Sequence, residues 1–413
     1  MAIARPTILQ IIPRLDTGGA ERSTLEITWA IVRAGGRALV ATEGGRLEDA
    51  VTRAGGEIVR MAAGSKSPPR MLANARALQR LIGSERVDLL HARSRAPAWS
   101  ALLAVRGART PFVTTYHGAY AEWGPLKRLY NSVMARSDVV IANSRYTADL
   151  IRVRYGTGPE RIRVIHRGID PRHFDPATLE DGRSAALRSQ WGVATDERVI
   201  LHPARLTGWK GQATVIEAAG LLRARGLLGK AVVILAGDAQ GRQDYVQMLR
   251  TRIAELDLNG RVRLVGHVED MPAACGLAHV TIVASTEPEA FGRVAIEAQA
   301  MGSPVIATGI GAPPETVPAE PGTPEESIAG WLVPPGDAGA LAARLAATLS
   351  LSAHERTALG TRARLHVLEN FTLDAMQRQT LEVYDRLLGS DLAARFAAAK
   401  ATLLGVAEAP GPA

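Results

Sequence analysis

Arg198-Val199-Ile200-Leu201-His202, followed by a basic glycine loop, a helix-patterned stretch from Gln212 to Arg225 and the apolar run Ala231 to Ala236, is where the chain starts its pattern a second time. An apolar β-branched run, a glycine turn, an amphipathic stretch and another apolar run make a strand, a crossover helix and a parallel strand. The chain opens on the same unit: Thr7-Ile8-Leu9-Gln10-Ile11-Ile12, a glycine turn, Glu21 to Ala34, then Arg37 to Thr42. Strand candidates continue at 87–91, 112–116, 139–143 and 162–165, and after the restart at 262–265, 280–284 and 304–308. Two successive doubly wound α/β units fit this order better than one large sheet.

A chain of 413 residues suits two well-packed domains. Pro176, Asp181, Gly182 and Gly192 punctuate the stretch between the two patterns, which places the expected domains at 1–185 and 186–371. Thr372 as an N-cap and Gly389 beyond the end predict a closing helix over 372–390, packing back on the first domain. The tail, 391–413, reads as helical and then disordered.

With 46% hydrophobic and 22% charged residues the composition is that of a globular protein, neither disordered nor membrane-spanning. The first apolar run, Ile8 to Ile12, is too short for a secretory signal or a span of about 20 residues, and the single cysteine, Cys275, lies in an apolar segment. A buried thiol and a cytoplasmic location are expected. Charge is uneven: residues 1–185 hold 28 Lys and Arg against 17 Asp and Glu. This excess suits an anionic partner such as a membrane surface, nucleic acid or an acidic substrate, and equally an arginine-rich solvated surface. The arginines are dispersed and no nucleic-acid motif is present.

Four stretches carry chemistry. In Glu289-Ala290-Phe291-Gly292-Arg293-Val294-Ala295-Ile296-Glu297 the apolar spacing starts a helix near Arg293, with Glu289 before its N-terminus and Glu297 inside it. Free amides at Gly292 and Arg293 suit a diphosphate, helped by the helix dipole. An ionised Glu297 can accept two ribose hydroxyls, and Glu289 can reach a sugar beyond the phosphates. On spacing alone the pair fits equally a helix N-terminal acid and a solvated helix charge. Arg205 and Lys210, in Ala204-Arg205-Leu206-Thr207-Gly208-Trp209-Lys210-Gly211, stand between a strand and a helix, where an open parallel sheet binds ligands. They suit a diphosphate or an ordinary basic loop. Asp16-Thr17-Gly18-Gly19-Ala20 follows the first strand, and its glycines let backbone approach a ligand, although a bare Gly-Gly is also a simple turn. His117, at the end of Thr114-Thr115-Tyr116, is placed to meet a sugar hydroxyl or to be structural.

Read together, Ser285 to Gly302 and the flanking Ser303-Pro304-Val305-Ile306 resemble the acidic-pair motif of retaining glycosyltransferases of family 4. The resemblance covers about residues 7–388. It implies the GT-B fold, two Rossmann-like parallel-sheet domains facing a cleft, and transfer of a hexose from a nucleotide-diphosphate sugar with retention. By resemblance Glu289 and His117 attend the donor sugar, the amides of Phe291, Gly292, Arg293 and Val294 hold its phosphates and Glu297 binds the ribose. Arg205 and Lys210 match the family's phosphate-binding pair, and Gly18 and Gly19 its first-domain glycine loop. Gly266-His267-Val268-Glu269-Asp270-Met271 resembles the loop beside the nucleotide base, which adds Val268, Asp270 and Met271 to the donor site. Gly311-Ala312-Pro313-Pro314-Glu315 departs from the family's usual paired glycine.

No Asp-x-Asp occurs, so neither a metal nor a cofactor is expected, and cations with helix amides meet the phosphate charge. GDP-mannose or a UDP-hexose is the expected donor. Residues 91–102 and 115–136 resemble members that build bacterial lipopolysaccharide core, implying a saccharide or glycolipid acceptor and a peripheral place at an anionic membrane. A nucleotide-sugar epimerase on the same scaffold is the rival enzyme, and a basic nucleic-acid-binding protein the rival outside enzymes.

Overall fold

The computed structural model describes residues 5–16 and 18–407, and these divide into two compact units, Met1–His166 with Leu373–Ala413, and Arg167–Thr372. In the first unit β1 (Thr7–Ile11), α1 (Gly19–Arg33), β2 (Arg37–Thr42), α2 (Glu48–Arg53), β3 (Glu57–Arg60), α3 (Pro68–Ser84) and β4 (Leu89–Ala92) come first. They are followed by α4 (Arg95–Ala104), β5 (Phe112–Tyr116), α5 (Pro125–Ser132), β6 (Val139–Ala142), α6 (Arg145–Tyr155) and β7 (Ile162–Val164). The seven strands are all parallel, in the order β3-β2-β1-β4-β5-β6-β7.

The second unit opens with α7 (Asp181–Trp191), β8 (Arg198–Pro203), α8 (Gln212–Ala224), β9 (Ala231–Ala236), α9 (Gln243–Glu255), β10 (Val262–Gly266) and α10 (Met271–Leu277). It continues through β11 (Ala278–Val283), α11 (Arg293–Ala300), β12 (Val305–Thr308), α12 (Pro313–Thr316), β13 (Gly330–Val333), α13 (Ala338–Ser350) and α14 (Ala353–Asn370). Its six strands are also parallel, ordered β10-β9-β8-β11-β12-β13. The chain then returns to the first unit as α15 (Leu373–Leu388) and α16 (Leu392–Ala407). Residues 408–413, where disorder is expected, lie outside the described residues.

Side chains alternate across each strand, so a parallel sheet covered on both faces needs apolar residues at every position. In the second unit Leu201, Val232 and Ile234 enter one core layer, while Ile200, Val233 and Leu235 enter the other. In the first, Leu9, Leu39 and Leu90 face α3, α4 and α6. Ile8, Ala38 and Leu89 face α1, α15 and α16, whose Tyr384, Leu392 and Phe396 are buried in that layer.

The first division, between His166 and Arg167, precedes the punctuated stretch 176–196. Ile169, Phe174, Leu187 and Trp191 pack into the second unit's core, which places residues 167–185 in that unit. Pro176 and Gly192 therefore mark turns inside the second unit, while Gly182 lies in the first turn of α7. Gly192, at φ 65°, is the left-handed cap that ends α7. Two short edge strands, β3 and β13, come in addition to the strands expected from the sequence. Cys275 is fully buried in α10, and burial pushes its thiol up.

Candidate active site

Strand order reverses in the second unit between β8 and β11, and ligands of open parallel sheets bind beyond the strand ends at such a point. The loop after β8 carries Arg205 and Lys210, and the loop after β11 carries Glu289. Gly211 makes the approach of the two loops possible: its φ is +76°, and a Cβ there would lie 1.9 Å from the Ala284 carbonyl oxygen. Gln212 steadies the basic loop, donating from Nε2 to the Arg205 carbonyl at 2.9 Å and accepting from the Tyr245 hydroxyl at 3.0 Å.

Lys210 and Glu289 form an ion pair across this point, Nζ donating to Oε1. Ser285 Oγ donates to the same oxygen at 2.6 Å, and Oε2 takes no hydrogen bond from the described residues. Lys210 Nζ also stands 4.2 Å from the centre of the Trp209 ring. Beneath the pair, buried His202 sets Nδ1 3.0 Å from the Ile282 carbonyl and Nε2 3.0 Å from the Lys210 carbonyl. Burial pulls its pKa down to about 4, so the ring is neutral and donates to one of the two carbonyls.

Gly292, at φ +79°, caps α11, whose first residues turn towards the same pocket. Lys210, Ser285, Glu289, Gly292, Arg293 and Val294 line that pocket, with His202 at its base, around about 160 Å³. This is less than the roughly 300–1,000 Å³ of a pocket for a whole drug-sized ligand, and suits one part of an extended ligand. Gly311 holds the backbone of Glu289 from the far side. It pairs with Glu289 as a parallel bridge at φ +85°, and a Cβ there would lie 2.3 Å from the Glu289 carbonyl oxygen. A single glycine meets that close approach, where the family pattern has a pair.

The remaining donor-site candidates of the second unit are placed differently. Arg205 is exposed, with no ion pair among the described residues. Phe291 sends its ring into the core, edge-on to Phe371 at 5.8 Å, leaving only its backbone for a ligand. Glu297 is paired with Arg293 one turn earlier, Nε to Oε1 at 3.4 Å, and Arg293 Nη2 donates to the Gly168 carbonyl at 3.0 Å. Val268 is core. Asp270 is held by both arms of Arg183, at 2.8 and 2.6 Å, and caps α10 by accepting from the Ala273 amide at 3.0 Å. Arg183 holds that carboxyl below the usual range. Met271, half-buried, packs on the same core.

In the first unit, the glycine loop and His117 follow β1 and β5, whose carboxyl ends share one sheet edge with that of β4. Thr17 lies outside the described residues. Gly18, φ 176°, is in extended backbone and Gly19 starts α1 with no atom within 4 Å of a Cβ position. Neither needs a left-handed φ; at Gly18 the Glu21 carboxylate stands 2.3 Å from where a Cβ would lie, so only Gly19 leaves its backbone uncovered. His117 is half-buried. Below this edge runs a polar network absent from the candidates above. His91 Nδ1 meets the Tyr384 hydroxyl at 2.6 Å and Nε2 meets Thr115 Oγ1 at 2.7 Å, while buried Arg93 donates from Nε to Gln10 Oε1 at 3.0 Å. Its signal in the sequence is Gln10 and His91, polar residues at core positions of strands.

The pattern of "Glycosyltransferase Family 4" matches residues 17–173, and that of "Glycosyl transferases group 1" matches residues 184–366. A crystal structure of a glycosyltransferase from Rickettsia africae is 33% identical, with a TM-score of 0.85, covering 94% of this chain and 100% of that one. An Anabaena protein solved in complex with UDP-glucose is 26% identical, TM-score 0.78, covering 92% of this chain and 99% of that one. The D-inositol 3-phosphate glycosyltransferase of Salinispora arenicola is 31% identical over 61% of this chain, and the match spans 55% of that enzyme's length. Two parallel-sheet units of this kind define the GT-B class of glycosyltransferases. Within it, the chain belongs to glycosyltransferase family 4.

Proposed function

We propose that this chain transfers a hexose from a nucleotide-diphosphate sugar to a saccharide or lipid-linked saccharide, without a metal and with retention of anomeric configuration. The observation that carries the reading is the Lys210–Glu289 pair at the β8/β11 switch point, beside the N-terminus of α11. Lys210, exposed Arg205 and the amides at Gly292 and Arg293 meet the diphosphate charge as it develops, the task a cation performs elsewhere. Glu289 Oε2, with no donor among the described residues, accepts a hydroxyl of the donor sugar, while Oε1 stays fixed by Lys210 and Ser285. Glu297 holds the ribose, and His117, by the family resemblance, attends the sugar.

In the proposed step the acceptor hydroxyl approaches the anomeric carbon on the face the diphosphate leaves. The new carbon–oxygen bond forms as the bond to the diphosphate breaks, and a phosphate oxygen takes the hydroxyl proton. No carboxylate nucleophile is required. The Anabaena complex with UDP-glucose makes UDP-hexoses the first donors to test, before GDP-mannose. The segments at 91–102 and 115–136 favour an acceptor of lipopolysaccharide core or another envelope glycan, met at the cytoplasmic face of the membrane.

The test follows free nucleoside diphosphate from a panel of UDP-hexoses and GDP-mannose, with and without saccharide acceptors. Release that depends on acceptor supports transfer. Conversion of donor to an isomeric sugar without acceptor would instead make the chain an epimerase.

A further inference from the structure

The apolar spacing of α5 and the turn after it, Leu126, Leu129, Tyr130 and Val133, is that of a helix turning one face to the core. Only its end does so. Val133 is buried, and α5 is fastened by a polar residue: buried Asn131 accepts from Arg95 Nη1 at 2.7 Å and donates to the Ala121 carbonyl at 3.1 Å. The leucines are thereby turned away from the core. Leu126 is 82% exposed, Leu129 51%, and Trp123 just before the helix 85%. Three large apolar side chains within seven positions, left in water, mark a surface made for contact.

Charge selects the partner. Lys127 and Arg128 sit between the two leucines, and Arg128 donates to the Arg154 carbonyl, which leaves its charge uncompensated. Residues 66–136 hold twelve Lys and Arg against three Asp and Glu, a balance of +9 where the whole chain has +8. Lys66, Arg70, Arg76 and Arg80, on and beside α3, are exposed with no ion pair among the described residues, next to exposed Leu72. Helix α3 packs on α4, and α4 on the turn Val133–Ala135 that continues α5. Leu78, Ala98 and Val133 share one core layer, so the cations of α3 and the apolar tip of α5 belong to the same side of the sheet.

We propose that this surface docks on an anionic phospholipid bilayer, with Trp123, Leu126 and Leu129 entering the interfacial layer and the α3 and α5 cations meeting lipid phosphates. The proposal rests on the reading of the acceptor as lipid-linked and supplies the means of reaching it. No helix among the described residues is long and apolar enough to cross a membrane; a contact made between exposed cations and lipid phosphates is screened by salt.

Flotation of the full chain with phosphatidylglycerol-containing and pure phosphatidylcholine vesicles tests this, at low salt and at about 0.5 M, where the Debye length is near 4 Å. The wild type should float with anionic vesicles at low salt only. A Trp123→Ser, Leu126→Ser, Leu129→Ser variant should lose at least tenfold in partitioning while binding UDP as the wild type does. Arg70→Glu with Arg76→Glu should shift the salt midpoint down. Equal flotation of the triple variant, binding to both vesicle types alike, or no binding to anionic vesicles would overturn the proposal. In that last case, self-association abolished by the triple variant assigns the patch to a second copy of the chain. Transfer to a water-soluble acceptor, measured in parallel, separates the two readings: intact transfer without docking removes the docking alone, and docking without transfer removes the transferase.

Discussion

Glu289 and Glu297 are both acids of one short motif, yet their surroundings give them different work. Glu289 is fixed through Oε1 by Lys210 and Ser285 and keeps Oε2 available, whereas Glu297 leans on Arg293 of its own helix. Glu297→Ala should weaken binding of the free nucleoside diphosphate by about 1.5–3 kcal/mol, the worth of hydrogen bonds to a charged group. Glu289→Ala should lower kcat and leave that affinity unchanged or raised, because it frees Lys210 for the diphosphate. Calorimetry and steady-state rates separate the two, and equal nucleotide affinity in wild type and Glu297→Ala removes the ribose assignment. His202 predicts a pH effect. Burial lowers its pKa to about 4 in the fold, against about 6.5 in an unfolded chain, so the unfolded state binds the proton first. Its contribution to stability is therefore whole above about pH 6.5 and is lost as pH falls towards 4. Urea midpoints should decline over that window and decline less in His202→Gln; identical profiles would show that the ring charges without penalty. The sequence made the motif residues legible because each belongs to a contiguous stretch. It could not show Lys210 meeting Glu289 or His202 meeting the Ile282 carbonyl, since those partners stand 79 and 80 positions apart in the sequence.

At the scale of elements, glycines with a left-handed φ divide into those that also hold a close approach and those that do not. Gly211 combines a left-handed φ with a backbone clash for any Cβ, while Gly226, at φ +68°, has nothing within 4 Å. Gly226→Ala should cost only the left-handed conformation, about 1–2 kcal/mol. Gly211→Ala should cost clearly more, with the β8 and β11 loops forced apart and turnover lost alongside stability. Similar denaturant midpoints for the two variants would mean that the loops part freely. Strands with long apolar runs, such as β8, β9 and β5, are plain in the sequence. Two of the four edge strands are not: β3 is four residues with Glu57 and Arg60 at its ends, and β13 is as short, with Trp331 and Leu332 only partly buried. A strand paired on one side needs less apolar sequence, which removes the signal that identifies its central neighbours.

For the whole molecule, the repeated pattern reveals two units because each must build a sheet covered on both faces. The place where one ends is less legible. The change at His166 falls in an ordinary loop, while the conspicuous Pro176 and Gly192 serve turns within the second unit. The return of α15 and α16 to the first unit likewise depends on Tyr384, Leu392 and Phe396 meeting β1, β4 and α1 from the far end of the chain, as His91 and Tyr384 do across 293 positions of sequence. Charge, by contrast, is legible to the residue, and its concentration in 66–136 follows from composition alone. What most needs testing is that the cations of the second unit take the place of a metal in sugar transfer. Acceptor-dependent release of UDP or GDP should be measured in excess EDTA for the wild type, Arg205→Ala and Lys210→Ala. Full wild-type activity, with each variant losing about 2–4 kcal/mol of transition-state stabilisation, is the predicted result. Loss of wild-type activity on chelation, restored by Mg²⁺ or Mn²⁺, would contradict it.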